Sequence, residues 1–213
     1  CSAELRHTFV DLGMSPPCES YLTASQLDMG EKFYPLHVRT CESCLLVQLP
    51  AYIPPEEIFS DYAYFSSYSD SWVAHARRFV DDAASLFGLD EASFVVEVAS
   101  NDGYLLQHSV ARGIRSLGIE PAANIARVAR EERGIPTLSK FFGSALAEEL
   151  AATGNCADVV HGNNVLAHVA DLNGVVRGIA TILKPKGVAV IEVPYVKDLI
   201  DHCEFDTIYH EHF

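Results

Sequence analysis

Three short stretches carry residue types that could do chemistry. "YHEHF", Tyr209 to Phe213, packs a tyrosine, two histidines and a glutamate into five positions. Histidine titrates near neutrality and can take a proton. Tyrosine can donate a hydrogen bond, and glutamate can fix a histidine tautomer. His210 and His212 also form an HxH pair, which can bind a divalent metal, but the stronger HExxH pattern is absent. In an extended segment Tyr209 and Glu211 share one face and the two histidines the other. In a helical turn Tyr209 and His212 share a face.

The second stretch is "CESC", Cys41 to Cys44. Structural zinc takes four ligands, commonly as two close pairs. Cys41 and Cys44 make one pair and Cys1 is the natural third ligand. The fourth is expected a few residues before Cys1. His37 is the other way to complete the set, but it lies in an alternating apolar stretch and reads as structural. Cys18, Cys156 and Cys203 are isolated and read as inert thiols.

The third stretch is "VVEVASNDGY", residues 95–104. Glu97 sits inside an apolar run, and Ala99, Asn101 and Gly103 belong to a turn of small residues that lets the backbone approach a ligand. The turn is neither GxGxxG nor GxxxxGK[ST], which disfavours a dinucleotide and excludes a P-loop. Glu120, in "GIEP", follows the next apolar run at a spacing suited to accepting hydrogen bonds from ribose hydroxyls. "HGNNVLAHV" places Asn163, Asn164 and His168 after a further run.

These residues need elements to position them. Residues 1–55 are turn-rich, and "FYPLHVRTC" and "CLLVQLPAYI" read as two strands flanking the CESC turn of a zinc-ribbon-like module. Residues 56–88 form an aromatic connector, "IFSDYAYFSSYSDSW", and a helix from Ser71 to Leu86 that Gly88 can cap. From residue 89 to 213 strands and helices alternate. The strands are "SFVVEVA", "IRSLGIEP", "IPTLSKFF", "ADVVHGNNV" and "VAVIEVPY". "DLNGVVRGIATILKPKG" reads as a helix and turn before the fifth. This order implies an α/β parallel sheet wound on both faces, with ligands beyond the strand C-termini. "YHEHF" then follows the fifth strand on that side.

The net charge of -14 and the lack of a Lys/Arg cluster argue against a nucleic-acid partner. No apolar run is long enough to cross a membrane, and the start lacks a signal-peptide plan. A chain that opens on Cys and closes on chemistry-bearing residues reads as part of a longer protein.

An acid-bearing first strand, a small loop, an acid after the second strand and "LKPKG" before "VAVIEVP" resemble class I S-adenosylmethionine-dependent methyltransferases of Rossmann-like fold. The first loop departs from that class in having "ASNDG" where several glycines are usual. "FVDLGMSPPCESYL", "YAYFSSYSDSW", "VEVASNDGYLLQ", "GIEPAANIA", "GNNVLAHV" and "FDTIYHEHF" together resemble the sugar C-methyltransferases. These act on nucleotide-linked 4-keto-6-deoxyhexoses in deoxysugar biosynthesis.

The resemblance implies a four-Cys zinc module that here lacks its first Cys. It also implies a C-terminal domain absent from this chain, carrying much of the nucleotide-binding surface, and so does not say whether this chain is active alone. It implies S-adenosylmethionine and structural zinc as cofactors, a nucleotide-linked sugar as substrate, and a cytoplasmic monomer. His212 is then the base that forms an enolate, with Tyr209 and Glu211 assisting, and Tyr64 or Tyr68 closes over cofactor or sugar. Glu97, Ala99, Asn101, Gly103, Glu120, Asn163, Asn164 and His168 are the expected cofactor-side residues. The competing readings are an O- or N-methyltransferase of the same fold, and a non-enzymatic zinc-ribbon binding module.

Overall fold

A computed structural model describes all 213 residues. The chain divides into two units. The first comprises 1–58, 167–170 and 194–213, and the second 59–166 and 171–193. The strand–helix alternation predicts one domain from 89 to 213, whereas the structure groups the last twenty residues and the 167–170 turn with the N-terminal module.

The first unit is built on a three-stranded antiparallel sheet, β1 (His7–Ser15), β2 (Tyr34–Thr40) and β3 (Val47–Gln48). Leu36 and Val38 alternate inward from β2, and with Leu49 they form a small core covered by Phe9, Val10, Val47 and Ile208. Strand β1 was not anticipated. Its side chains are mostly exposed and its pairing with β2 slips twice, so no clean period-two signal marks it. After β3 comes a short helix, α1 (Pro55–Phe59).

The second unit starts with the aromatic segment and α2 (Asp70–Phe87). Ser69 accepts a hydrogen bond from the Trp72 amide at the start of α2, and Gly88 closes its end at φ 64. Then follow β4 (Phe94–Val98), α3 (Leu106–Ala111), β5 (Arg115–Ile119), α4 (Ala123–Glu131), β6 (Thr137–Leu138), α5 (Ser144–Ala152), β7 (Ala157–Asn163), α6 (Leu172–Ile182) and β8 (Leu183–Glu192). The sheet is parallel throughout, in the order β6-β5-β4-β7-β8. Every residue of β4 is buried, as a central strand covered on both faces must be. Strand β8 starts at Leu183 although "LKPKG" reads as a turn. Pro185 is tolerated because β7 is the only strand that pairs with β8.

Chain order reverses between β4 and β7. Segments after β4 build outward through β5 and β6, and the chain then returns to lay β7 on the other side. Such a switch point opens a crevice beyond the carboxyl ends of the two strands. The last helix, α7 (Val196–His202), belongs to the first unit.

Candidate active site

The carboxyl ends of β4, β5 and β7 gather most of the expected cofactor residues. Glu97 is 1% exposed and its Oε2 has no hydrogen-bond partner. Ser100 Oγ and Asn163 Oδ1 are also buried without partners. Three orphaned polar atoms at one sheet end are costly unless a polar ligand answers them. Burial holds the Glu97 carboxyl well above the usual range, reinforced by the nearby charges of Glu120 and Asp102. Burial likewise raises Glu120 to about 7, although it accepts backbone hydrogen bonds from Ala122 at 2.8 Å and Asn101 at 2.9 Å.

The turn after β4 reaches this geometry through strained backbone. Ala99, Asn101 and Gly103 all have positive φ, at 52, 48 and 81°. Such conformations cluster where a chain must bring its backbone to a ligand. A Cβ on Gly103 would lie 2.9 Å from the Ile135 side chain, and one on Gly118 would collide with Ser100 Oγ. Asn164 is also left-handed, at φ 55. Its side chain donates to Glu192 Oε1 at 2.9 Å, and Glu192 Oε2 lies 3.3 Å from His75 Nε2. His75 stacks on Trp72, which stacks in turn on Tyr104.

Sequence reasoning missed Glu192, His75, Ser100 and Trp72. A signal for Glu192 existed, since "VIEV" in β8 repeats the "VVEV" of β4 and sets an acid at the same strand end. Of the two tyrosines, Tyr64 is 48% exposed. Tyr68 is 84% exposed and stacks on Phe65.

The first unit holds the other cluster. His212 donates its backbone amide to Tyr209 O at 3.0 Å, so "YHEH" is a turn, and the Tyr209 and His212 rings lie 4.1 Å apart. Phe213 N donates to Ala167 O, which ties this end to the 167–170 turn. His168, expected on the cofactor side, meets the His212 ring at 4.6 Å, and its Nδ1 lies 3.8 Å from Glu211 Oε2. Burial and the neighbouring His212 lower His168 to about 4. Burial also lowers His212, opposed by Thr207 O and by Glu211. Both rings are therefore neutral at pH 7. His212 Nδ1 lies 2.8 Å from Thr207 O. A carbonyl can only accept, so Nδ1 carries the proton and Nε2 is the basic nitrogen. His210 points the other way, towards the Tyr34 and Pro35 carbonyls at 3.3 Å. Glu211 is 3% exposed and accepts from Cys18 Sγ at 3.1 Å.

Cys1, Cys41 and Cys44 have their sulfur atoms within 4.8 Å of one another, and Cys1 Sγ is 3.5 Å from Cys41 Sγ. Tetrahedral zinc with Zn–S bonds of about 2.3 Å needs sulfurs roughly 3.8 Å apart, so the trio fits the ion. Backbone amides of Cys44 and Ser43 lower the Cys41 thiol, which favours the thiolate that zinc requires.

Comparison with known proteins agrees with both halves of this description. Residues 72–213 match the family model described as "Methyltransferase domain". The chain belongs to this methyltransferase family. Residues 1–59 match the model described as "Putative zinc binding domain".

The C-methyltransferase NovU of Streptomyces niveus is 36% identical over 204 residues, which is 96% of this chain and 48% of that protein. A ubiquinone biosynthesis O-methyltransferase of Bartonella tribocorum is 27% identical over 54% of this chain and 46% of that protein. The chain thus spans about half the length of the curated relatives it matches. The PH0226 protein of Pyrococcus horikoshii OT3 shares the fold at a TM-score of 0.52 and 17% identity. That match covers 68% of this chain and 64% of that one. The fold and family are those of S-adenosylmethionine-dependent methyltransferases, and a zinc-binding module precedes the sheet domain.

Proposed function

We propose that the protein methylates a carbon beside the keto group of a nucleotide-linked 4-keto-6-deoxy sugar. S-adenosylmethionine supplies the electrophilic methyl. Glu97, Ser100, Asn101, Glu120 and Asn163 would hold it, because their buried carboxylates, hydroxyl and amides suit its ammonium and ribose groups. Ala99 and Gly103 let the backbone approach. Asn164 and the Glu192–His75 pair form the adjoining wall, with Tyr64 and Tyr68 over it.

A carbon beside a ketone becomes nucleophilic only when a proton leaves, so a C-methyltransferase needs a base that an O-methyltransferase does not need in this form. The observation that carries this reading is His212. It is neutral, its Nδ1 is fixed by Thr207 O, and its Nε2 is therefore basic. In the proposed step Nε2 takes the proton from the carbon, and the electron pair moves to the carbonyl oxygen as an enolate. The enolate carbon would then take the methyl as the methyl–sulfur bond breaks, with the electron pair returning to sulfur so that S-adenosylhomocysteine leaves and the abstracted proton stays on Nε2. Tyr209, whose ring lies tilted against His212, is suited to donate to the enolate oxygen. Glu211 lies beside His168, and its charge favours the cation that develops on His212.

We further propose that Cys1, Cys41 and Cys44 hold zinc in a structural role, and that the protein acts as a cytoplasmic monomer. Six cysteines with no disulfide among them suit a reducing compartment. No helix is long and apolar enough to cross a membrane. Incubation with S-adenosylmethionine and a nucleotide-linked 4-keto-6-deoxyhexose, followed by NMR of the product, tests the reading. A new methyl on a ring carbon supports it. A methyl on oxygen or nitrogen would replace it with the other class of methyltransferase.

A further inference from the structure

The aromatic segment is stitched to the turns that follow β4 and β5. Asn124 holds both backbone groups of Tyr62, accepting from its amide at 3.3 Å and donating to its carbonyl at 2.8 Å. Asn101 does the same one step along, accepting from the Ser66 amide at 2.9 Å and donating to the Tyr64 carbonyl at 3.1 Å. Its own backbone amide donates to Glu120, so one residue joins the segment, the turn and the acid expected at the ribose.

The last stitch is of a different kind. Ser67 Oγ donates to Asp102 Oδ2, and Arg133 Nη2 donates to both Ser67 Oγ and, at 3.2 Å, Asp102 Oδ2. Asp102 is 0% exposed, and its Oδ1 is buried with no partner. Arg133 Nε is buried without one too. A fully buried carboxylate depends on its paired cation, and removing that cation strands the charge. The sheet does not need this pair for its own packing, because Val95, Val96, Leu105 and Ile119 supply a fully buried apolar core.

We propose that Arg133, Asp102 and Ser67 form a latch that fixes the aromatic segment against the cofactor turn, making Arg133 a positioning residue for retention of S-adenosylmethionine. This rests on the cofactor reading above. The latch clamps the segment three residues beyond Tyr64, and it clamps the turn at Asp102, between Asn101 and Gly103. Opening it loosens the wall and the floor of the same crevice together. Because a single nitrogen of Arg133 makes both bonds, a lysine Nζ can replace it, whereas methionine of similar length cannot.

Amide hydrogen exchange over residues 60–68 and calorimetric titration with S-adenosylmethionine test this on the wild-type chain and on Arg133→Met, Arg133→Lys and Ser67→Ala. Arg133→Met is expected to quicken exchange in 60–68 and weaken cofactor binding about tenfold or more. Arg133→Lys is expected to recover most of both, and lysine rescue is an effect that mere loss of packing would not give. Ser67→Ala leaves Asp102 paired with Arg133 and so folds even if Arg133→Met does not; it should quicken the same exchange to a smaller extent. Unchanged exchange and affinity in Ser67→Ala and Arg133→Met overturn the latch. Failure of the wild-type chain to take up S-adenosylmethionine overturns the cofactor reading and the proposal with it. Normal uptake by wild type and Arg133→Met alike overturns the proposal alone.

Discussion

The two clusters of ionisable groups are built with opposite electrostatics. In the second unit, burial makes carboxyls hold their protons, with Glu97 far up and Glu120 at about 7. In the first, burial makes imidazoles shed theirs, with His168 at about 4 and His212 also lowered. One cause, desolvation of the charged form, produces both. The consequence differs in kind. Carboxyls whose charge burial penalises suit capture of a cationic ligand, which restores that charge. Neutral imidazoles suit proton abstraction.

Zinc removal should separate the clusters most sharply. A structural zinc contributes on the order of 10 kcal/mol to its module. Chelation is expected to unfold the β1–β3 sheet and disturb Tyr209, Glu211 and His212, which share a unit with it. Cofactor binding by the second unit should survive. Thermal melting with and without a chelator, alongside S-adenosylmethionine titration, checks both halves.

Next in size is pH. Between about 4 and 6.5 the unfolded chain protonates His168 while the folded chain does not. Its contribution is complete above 6.5 and lost as pH falls towards 4, amounting to about 3 kcal/mol. Glu120 works in reverse. Folded, it keeps its proton between 4.5 and about 7, so its contribution is complete below 4.5 and lost as pH rises to 7. That amounts again to about 3 kcal/mol. Stability profiles of His168→Gln and Glu120→Gln should therefore depart from wild type with opposite slopes.

A smaller effect is expected for Glu120→Ala. Losing hydrogen bonds from ribose hydroxyls to a carboxylate costs about 1.5–3 kcal/mol, or roughly 10- to 150-fold in S-adenosylmethionine affinity. The His168–His212 ring contact should be untouched, as chemical shifts of the two imidazoles would report.

How much of this the sequence discloses follows from the range of the interactions. The sheet is legible because β4 is a continuous apolar run and because helices alternate with strands. Glu97 and Glu120 are legible because one is an acid inside an apolar run and the other an acid directly after one. The meeting of His168 and His212 is not, since it joins residues in separate turns with no local pattern between them. Nor is the Arg133–Asp102–Ser67 latch, whose charges look like ordinary surface residues until burial is known. The left-handed backbone at Ala99 and Asn101 is hidden for a similar reason. Asparagine tolerates positive φ better than most residues, but Ala99 gives no such signal, and tertiary packing imposes it.

The division of labour is tested most directly by His212→Ala. S-adenosylmethionine affinity and turnover of a nucleotide-linked 4-keto-6-deoxyhexose should be measured on the same preparation. Removing a general base costs about 10²–10⁴-fold in rate. Turnover should fall by that factor, with cofactor affinity within about twofold of wild type. Methyl transfer to carbon at the wild-type rate would contradict the assignment of the base to the first unit.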